Sequence, residues 1–527
     1  MAEADAPVPP AASAVPYVNP WIVAIAVMFA TFMEVLDTTV VNVSLPHVAG
    51  SLSASIDEST WALTSYLVAN AIILPLSGWL ARQFGRKRLL MLSVTGFTVS
   101  SFFCGLAWSL PALIVFRIIQ GTTGGALQPL SQAVMLEAFP PQRRGKAMAF
   151  WGLGIVTAPI LGPVLGGWLT DSYSWRWVFY INIPVGLVSL VMMQRYVFDP
   201  PYVGRRSTKV DWTGIGLLAL GIGALQILLD KGQEDDWFES GFMTTLAVVS
   251  AVSLVLFLWH ELRATQPVVD LRVFRNRTYA AGVLLMTNVG FVLYGSLVLL
   301  PIFLQTLLGY PSLQAGIALS PRGVGSFLAM PVVGILLGRV DARRLLGLGL
   351  VTGALTLYWL SGLNLSAGYW DIFWPQLIQG VALALLFVPL TTITMDPIPR
   401  EAMGNATSIF NLMRNIGGSL GIAVATTILA RRQQQHTSVL ASHVDAYSPQ
   451  ARALLDQMRT AFLARGSDAV TAAQQAEAAI AGMVQRQAAM LSFTDVFRLL
   501  AFLFVALLPL LFLMRSPRAG KGPAALH

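Results

Sequence analysis

The sequence predicts an all-α membrane protein of fourteen spans: two six-helix halves, two further helices inserted between them, and both termini on the cytoplasmic side. Three observations predict it. Apolar residues fall into bilayer-length runs, basic residues fall between alternate runs, and two sequence patterns recur half a chain apart.

Composition comes first. Of 527 residues, 55% are hydrophobic and 11% are charged, against about 25% charged in soluble domains. Mean hydropathy is +0.66. The apolar runs are about 20 residues long, the length that carries a helix across ~30 Å of hydrocarbon. Lipid satisfies no backbone polar group, so only helices and closed barrels span it, and continuous rather than alternating apolar runs select helices. The runs lie near 20–46, 58–81, 88–109, 111–136, 147–170, 175–197, 211–230, 241–262, 278–305, 312–338, 343–363, 370–395, 402–430 and 491–514.

Orientation follows from lysine and arginine placement. Loops after even-numbered spans carry Arg82, Arg86, Lys87 and Arg88; Arg143, Arg144 and Lys146; Arg195, Arg205, Arg206 and Lys209; Arg263, Arg272, Arg275 and Arg277; and Arg339, Arg343 and Arg344. The C-terminal tail adds Arg515, Arg518 and Lys521. The opposite short loops are nearly free of positive charge, and one is acidic through Glu234, Asp235, Asp236 and Glu239. The net charge of +8 therefore describes membrane topology and not nucleic-acid binding. Residues 1–19 read as a disordered cytoplasmic tail, 20–198 as the first half, 199–277 as the inserted pair with linkers, 278–515 as the second half and 516–527 as a second tail. Within the second half, 431–490 is polar and reads as a long periplasmic loop of two helices, 449–465 and 467–490. It is either a solvated cover or a docking surface. The single cysteine, Cys104, lies inside an apolar run and reads as a small buried hydrophobe.

Gly78–Leu90, GWLARQFGRKRLL, recurs as Gly334–Leu346, GILLGRVDARRLL. Ile118–Gly121, IIQG, recurs as Leu377–Gly380, LIQG. Parallel halves around a central cavity are a transporter architecture.

Several motifs then resemble one family. Leu36–Pro46 (LDTTVVNVSLP), the basic loop after span two, Arg117–Gly121 (RIIQG), the glycine–proline run Gly152–Gly167 and Trp175–Pro184 (WRWVFYINIP) are similar to the fourteen-span drug:proton antiporters of the major facilitator superfamily, the EmrB/QacA type. Pro321–Gly323 and Arg414–Gly418 resemble the same group. The family pattern has an aspartate where this chain has Arg82. The resemblance implies proton-coupled efflux of lipophilic drugs or amphipathic compounds by alternating access in the bacterial inner membrane, with the proton gradient as the driving force and no cofactor. The alternative is an exporter dedicated to an endogenous metabolite, fatty acid or siderophore. EmrB-type members join a periplasmic adaptor and an outer-membrane channel, and loop 431–490 would suit such contact.

Proton drive requires a group that gains and loses a proton inside the membrane. Glu34 and Asp37, three residues apart, share one helix face. A charged carboxylate at mid-bilayer costs roughly 2.5–3.5 kcal/mol, so it must face a cavity or become protonated. Asp37 is the expected proton carrier, assisted by Glu34, with Arg117 as the cation that approaches and separates. A fixed structural ion pair is the competing reading. In span five, Gly154, Ala158, Gly162 and Gly166 form a small-residue ridge, and Pro159 and Pro163 weaken the helix. That ridge reads as a hinge and seal, or as tight packing. Substrate contacts are expected from Asn42, Tyr66, Asn70, Gln128, Asn288, Tyr294, Gln305 and Gln379, and from Arg322 and Arg414, which could hold an anionic substrate or pin helices. Each amide could equally serve an interhelical hydrogen bond.

Other classes are excluded. No Gly-x-x-x-x-Gly-Lys-Ser/Thr loop is present for ATP. The five histidines, His47, His260, His436, His443 and His527, make no metal-ligand pattern and no Cys/His cluster of an enzyme exists. No large soluble domain supports a receptor or scaffold, and the glycine–proline run argues against an importer.

Overall fold

The computed structural model describes residues 19–199, 210–444 and 448–514. The expected tails, and with them Arg205, Arg206, Lys209, Arg515, Arg518 and Lys521, lie outside the described residues.

The helices in order are α1 (Pro20–Ser51), α2 (Ile56–Phe84), α3 (Arg86–Gly105), α4 (Leu110–Gly124), α5 (Leu127–Ala138), α6 (Arg144–Ser172), α7 (Trp177–Tyr180), α8 (Asn182–Tyr196), α9 (Trp212–Lys231), α10 (Gly241–Arg263), α11 (Arg277–Ile302), α12 (Ser312–Leu336), α13 (Ala342–Leu360), α14 (Tyr369–Met395), α15 (Met403–Ser442), α16 (Pro449–Ala464) and α17 (Ala469–Ala506). The fourth span is α4 continued by α5, and the sixth is α7 continued by α8. Among the described residues thirteen helical stretches are long and apolar enough to cross a bilayer. The remaining expected span is α13. Its first turn carries Arg343 and Arg344, while Leu346, Leu350 and Leu357 are buried where it packs on α14 and α17.

Helix starts follow local chemistry. Ser55 and Glu58 form a reciprocal capping box on α2. Asp211, Asn276 and Asp468 cap α9, α11 and α17 with their side chains. Thr471 and Val470 hydrogen-bond the Asp468 carboxylate, and those bonds hold it below the usual carboxylate range.

Helices α1–α8 pack among themselves as one bundle, and α11–α15 with α17 form a second. The inserted pair packs α9 on α10, with α9 along the seam between α2 and α15. Gln226 of α9 exchanges hydrogen bonds with Ser419 of α15 (2.9 and 3.2 Å), and Thr64 of α2 donates to Asp230 of α9.

The polar stretch after span thirteen differs in form from the expected loop. Helix α15 runs 40 residues without interruption, about 60 Å at 1.5 Å per residue, twice the hydrocarbon thickness. The second loop helix is not separate from the last span, because α17 begins at Ala469 and continues through it. No proline or glycine pair interrupts 483–506, so the helix has no reason to stop at the membrane surface. Helix α16 lies against α17.

The even-to-odd loops place their basic residues at one end of the bundles, the basic face, and the two bundles meet there. Thr407 Oγ1 donates to the Pro129 carbonyl at 3.0 Å, and Asn411 Nδ2 donates to Gln132 Oε1 at 2.5 Å. Trp151 stacks on Phe387, centroids 5.8 Å apart. Both repeated glycines sit in this closure. A Cβ on Gly78 would lie 2.8 Å from Asn405 Cα, and one on Gly334 would lie 2.9 Å from Ala149 Cβ. The repeat thus supplies one close helix crossing to each of the two seams.

Candidate functional site

The first bundle encloses a polar network around Asp37, which is fully buried on α1. Arg117 Nη1 donates to its Oδ2 at 2.6 Å. Gln120 Nε2 and Asn182 Nδ2 donate to its Oδ1 at 3.0 and 2.8 Å. Arg117 is also fully buried. Its Nη1 donates to Gln120 Oε1 at 2.7 Å, and its Nε donates to the Ala62 carbonyl at 3.0 Å. The guanidinium lies 4.1 Å from the Tyr66 ring centroid, a cation–π contact strengthened by the burial of both groups. Behind the network, Asn182 Nδ2 donates to Ser101 Oγ at 3.0 Å, and Ser101 Oγ donates to the Phe179 carbonyl at 2.9 Å.

Local sequence explains why these groups converge. Helix α4 must come close to α2 for Arg117 to reach across, and Gly121 and Gly125 permit it. A Cβ at either would fall 2.4 Å from the Tyr66 carbonyl oxygen or 2.6 Å from the Asn70 carbonyl oxygen. The second copy of the pattern does the same in the other bundle, where a Cβ on Gly380 would fall 2.0 Å from the Arg322 carbonyl oxygen. Asn182 opens α8 at the junction with the short α7, which turns its amide toward α1.

Glu34 stands one helical turn from Asp37 and is buried in a different setting. Asn70 Nδ2 donates to its Oε1 at 3.0 Å. Gln128 and Arg414 lie close enough for their polar groups to act on the carboxyl. Arg414 Nη2, from α15 of the second bundle, donates to Gln128 Oε1. No cation forms an ion pair with Glu34 among the described residues. The two acids therefore have separate surroundings: Asp37 is locked inside one bundle, and Glu34 lies at the join between bundles.

The remaining expected residues distribute as follows. Tyr66, Asn70, Gln128 and Arg414 belong to the acid network. Asn42 is exposed on α1, and Gln305 is exposed beyond the end of α11. The Asn288 amide donates to the Leu284 carbonyl of its own helix at 2.8 Å, the Tyr294 ring lies against Gly418, and Gln379 Oε1 accepts from Gln376 at 3.1 Å. Arg322 is buried in α12, with no hydrogen bond or ion pair among the described residues. The ridge of α6 packs inward on its own bundle: a Cβ on Gly154 would lie 2.9 Å from the Met28 side chain, one on Gly162 2.1 Å from Thr39 Oγ1, and one on Gly166 2.9 Å from the Val40 carbonyl oxygen. The face of α6 toward the second bundle is instead Gly145, Ala149 and Gly152, set against α12. Reasoning from sequence missed Gln120, Asn182, Gln132 and Asn411. Their signal was available, since each is an amide inside an apolar run. Beyond the network, α15 and α17 flank a cleft of about 630 Å³ lined by Gln433, Gln434, Thr437, Ser438 and Gln485.

A buried acid–guanidinium network in one of two helical bundles, joined to the other bundle by an amide and a second arginine, is the build of a membrane transporter and not of an enzyme. The chain belongs to the Major Facilitator Superfamily, whose family model matches residues 27–422, and is of the EmrB/QacA type. It is 40% identical over 495 residues to the multidrug export protein EmrB of Haemophilus influenzae, covering 94% of this chain and 95% of that one. It is 37% identical over 501 residues to the fatty acid resistance protein FarB of Neisseria gonorrhoeae, covering 95% and 97%. Among solved structures, a double-tryptophan mutant of XylE superposes with a TM-score of 0.61 at 16% identity, covering 96% of this chain and 98% of that one, which establishes the fold. The protein is a multi-pass protein of the bacterial inner membrane.

Proposed function

We propose that the protein exports lipophilic small molecules in exchange for protons, by alternating access of a site between the two bundles. The observation that carries the reading is the contrast between the two carboxyls. Protonating Asp37 would break an ion pair and strand a buried guanidinium, a cost of about 3–5 kcal/mol. Protonating Glu34 breaks no ion pair, and its neighbours Gln128 and Arg414 join the bundles. Glu34 is therefore the proton-exchanging group in this reading. Asp37 and Arg117 hold the fixed charge beside it, which reverses the roles expected from sequence. Similarity to multidrug export proteins supports export over import.

The test is transport in proteoliposomes under an imposed proton gradient, with dyes, fatty acids and uncouplers as the panel. Glu34→Gln should abolish uphill export while leaving substrate binding within about twofold. Uphill export by Glu34→Gln would sink the assignment.

A narrower substrate class, an amphipathic anion such as a fatty acid, is favoured by the buried guanidinium of Arg322, which has no partner among the described residues, and by the similarity to FarB. Arg322→Gln should then lose transport of the acid but not of its neutral ester. The extensions of α15 and α17, with α16, offer a surface for a periplasmic adaptor leading to an outer-membrane channel. Deleting 449–464 should then leave export from proteoliposomes intact and abolish resistance in cells.

A further inference from the structure

The segment after the inserted helices is pinned to the second bundle by one side chain. Asn405 of α15 accepts from the Asp270 backbone N–H at 3.0 Å and donates from Nδ2 to the Asp270 carbonyl at 2.8 Å. Asn405 is itself buried, so this two-point bond is shielded from water and holds the linker to α15. Just before it, Val268 and Val269 are buried in the apolar cluster that also contains Trp79 of α2 and Ile409 of α15. The linker thus fills the α2–α15 seam on the basic face, at the level where Gly78 crosses Asn405. The Asp270 carboxylate also lies near enough to Arg82 of α2 for its charge to act on the guanidinium, without an ion pair between them among the described residues. Arg82 stands where the family pattern has an acid, so sequence alone offered this arginine no partner.

We propose that this linker is a wedge that holds the basic face closed, bound to α15 through the Asp270 backbone, packed on α2 through Val268 and Val269, and drawn toward α2 by its acidic charge. The inference rests on the alternating-access reading. When α2 and α15 separate, the two amide bonds carry the wedge away with α15. The contacts to α2 are those that must break: the apolar contact with Trp79 and the attraction between Arg82 and Asp270. A two-helix insertion thereby acquires a mechanical role, because it delivers a closing element that neither half contains.

The reporter is A149C. Ala149 is buried against Gly334 in the other seam of the same closure, so a hydrophilic maleimide reaches it only when the basic face opens. The native Cys104 is buried and serves as the unlabelled control. In full-length protein, D270N and R82Q should each raise the A149C labelling rate about two- to fivefold, the range of a partly exposed charge pair. The charge exchange R82D/D270R should return it to the parent rate. An unchanged rate in D270N, or an exchange no better than its single variants, overturns the wedge. The labelling also separates this proposal from its premise. If the rate responds to substrate and proton gradient but not to Asp270, the wedge alone fails. If it responds to none of them, alternating access fails with it.

Discussion

The buried pair of Asp37 and Arg117 permits a quantitative test. Asp37 Oδ1 receives two amide donors, and Oδ2 receives the guanidinium at 2.6 Å. In Asp37→Asn, the new NH2 group must face either Arg117 or the amides of Gln120 and Asn182, all donors. Gln120 cannot simply turn over, since its Oε1 already accepts from Arg117 at 2.7 Å and from Cys104 Sγ at 3.4 Å. The variant therefore loses the charge pairing and leaves a donor unsatisfied, for a cost of about 3–5 kcal/mol. Arg117→Met leaves a buried carboxylate with amide donors alone, at a similar cost. The double variant Asp37→Leu/Arg117→Met removes both charges, and replacing a buried ion pair by apolar side chains of similar volume is often neutral or stabilising. Unfolding midpoints in detergent should fall by several degrees in each single variant and by less than the sum of those losses in the double, where Gln120, Asn182 and the Ala62 carbonyl still lose a partner, while transport is lost in all three. A double variant whose midpoint falls by the sum of the two single losses would refute the reasoning, because it would mean that the two side chains stabilise the fold independently.

Three further outcomes follow from specific contacts. Among the described residues Tyr66 Oη is buried without a hydrogen-bond partner, so Tyr66→Phe should keep the contact with Arg117 and leave stability unchanged or raised, by up to ~1–3 kcal/mol; reduced substrate binding at unchanged stability would instead make this hydroxyl a substrate contact. Gly162→Ala should destabilise by about 1–3 kcal/mol and be rescued only in part by Thr39→Ala, which removes the Oγ1 at 2.1 Å but leaves the Thr39 Cβ at 2.6 Å, whereas Gly417→Ala has no such relief, since its Cβ would lie 2.0 Å from the Thr287 carbonyl oxygen; paired midpoints measure both. Asn411→Ala removes the bond to Gln132 and should speed labelling of A149C.

Much of the fold was legible because membrane spans are set by length and hydropathy, which act locally. The exceptions are informative. Helix α13 meets the pattern least well, since Arg343 and Arg344 begin it, yet packing between α14 and α17 determines its place. The continuity of α17 was not legible because a polar helix and an apolar helix read as two segments, and only the absence of a breaker shows that they are one. At the site, Asp37 with Arg117 was legible as a pair of charges in apolar runs. The different surroundings of Asp37 and Glu34 were not. Two acids three residues apart on one helix look equivalent, and what distinguishes them comes from α4, α8 and α15, 80 or more residues away in the chain. The ridge of α6 shows the same limit: its four-residue period identifies a close packing face but not the helix it packs against, and that helix proves to be α1.

The internal repeat joins these points. Each repeated glycine occupies a place where backbones approach too closely for a Cβ, Gly78 with α15, Gly334 with α6, Gly121 with α2 and Gly380 with α12. What recurs is therefore the close helix crossing, while the side chains around it are free to diverge. Around Gly121 lie Arg117 and Gln120, committed to Asp37. Around Gly380 lie Gln379, bonded to Gln376, and Arg322, which forms no bond among the described residues. At the basic face, among the described residues, it is the seam crossed by Gly78 that also holds Val268, Val269 and Asp270 of the linker. A symmetric pair of crossings would favour opening both seams together. On the wedge proposal, the linker adds contacts to the α2–α15 seam that the repeat does not supply, so the inserted segment, and not the repeat, would set the order of opening on this face.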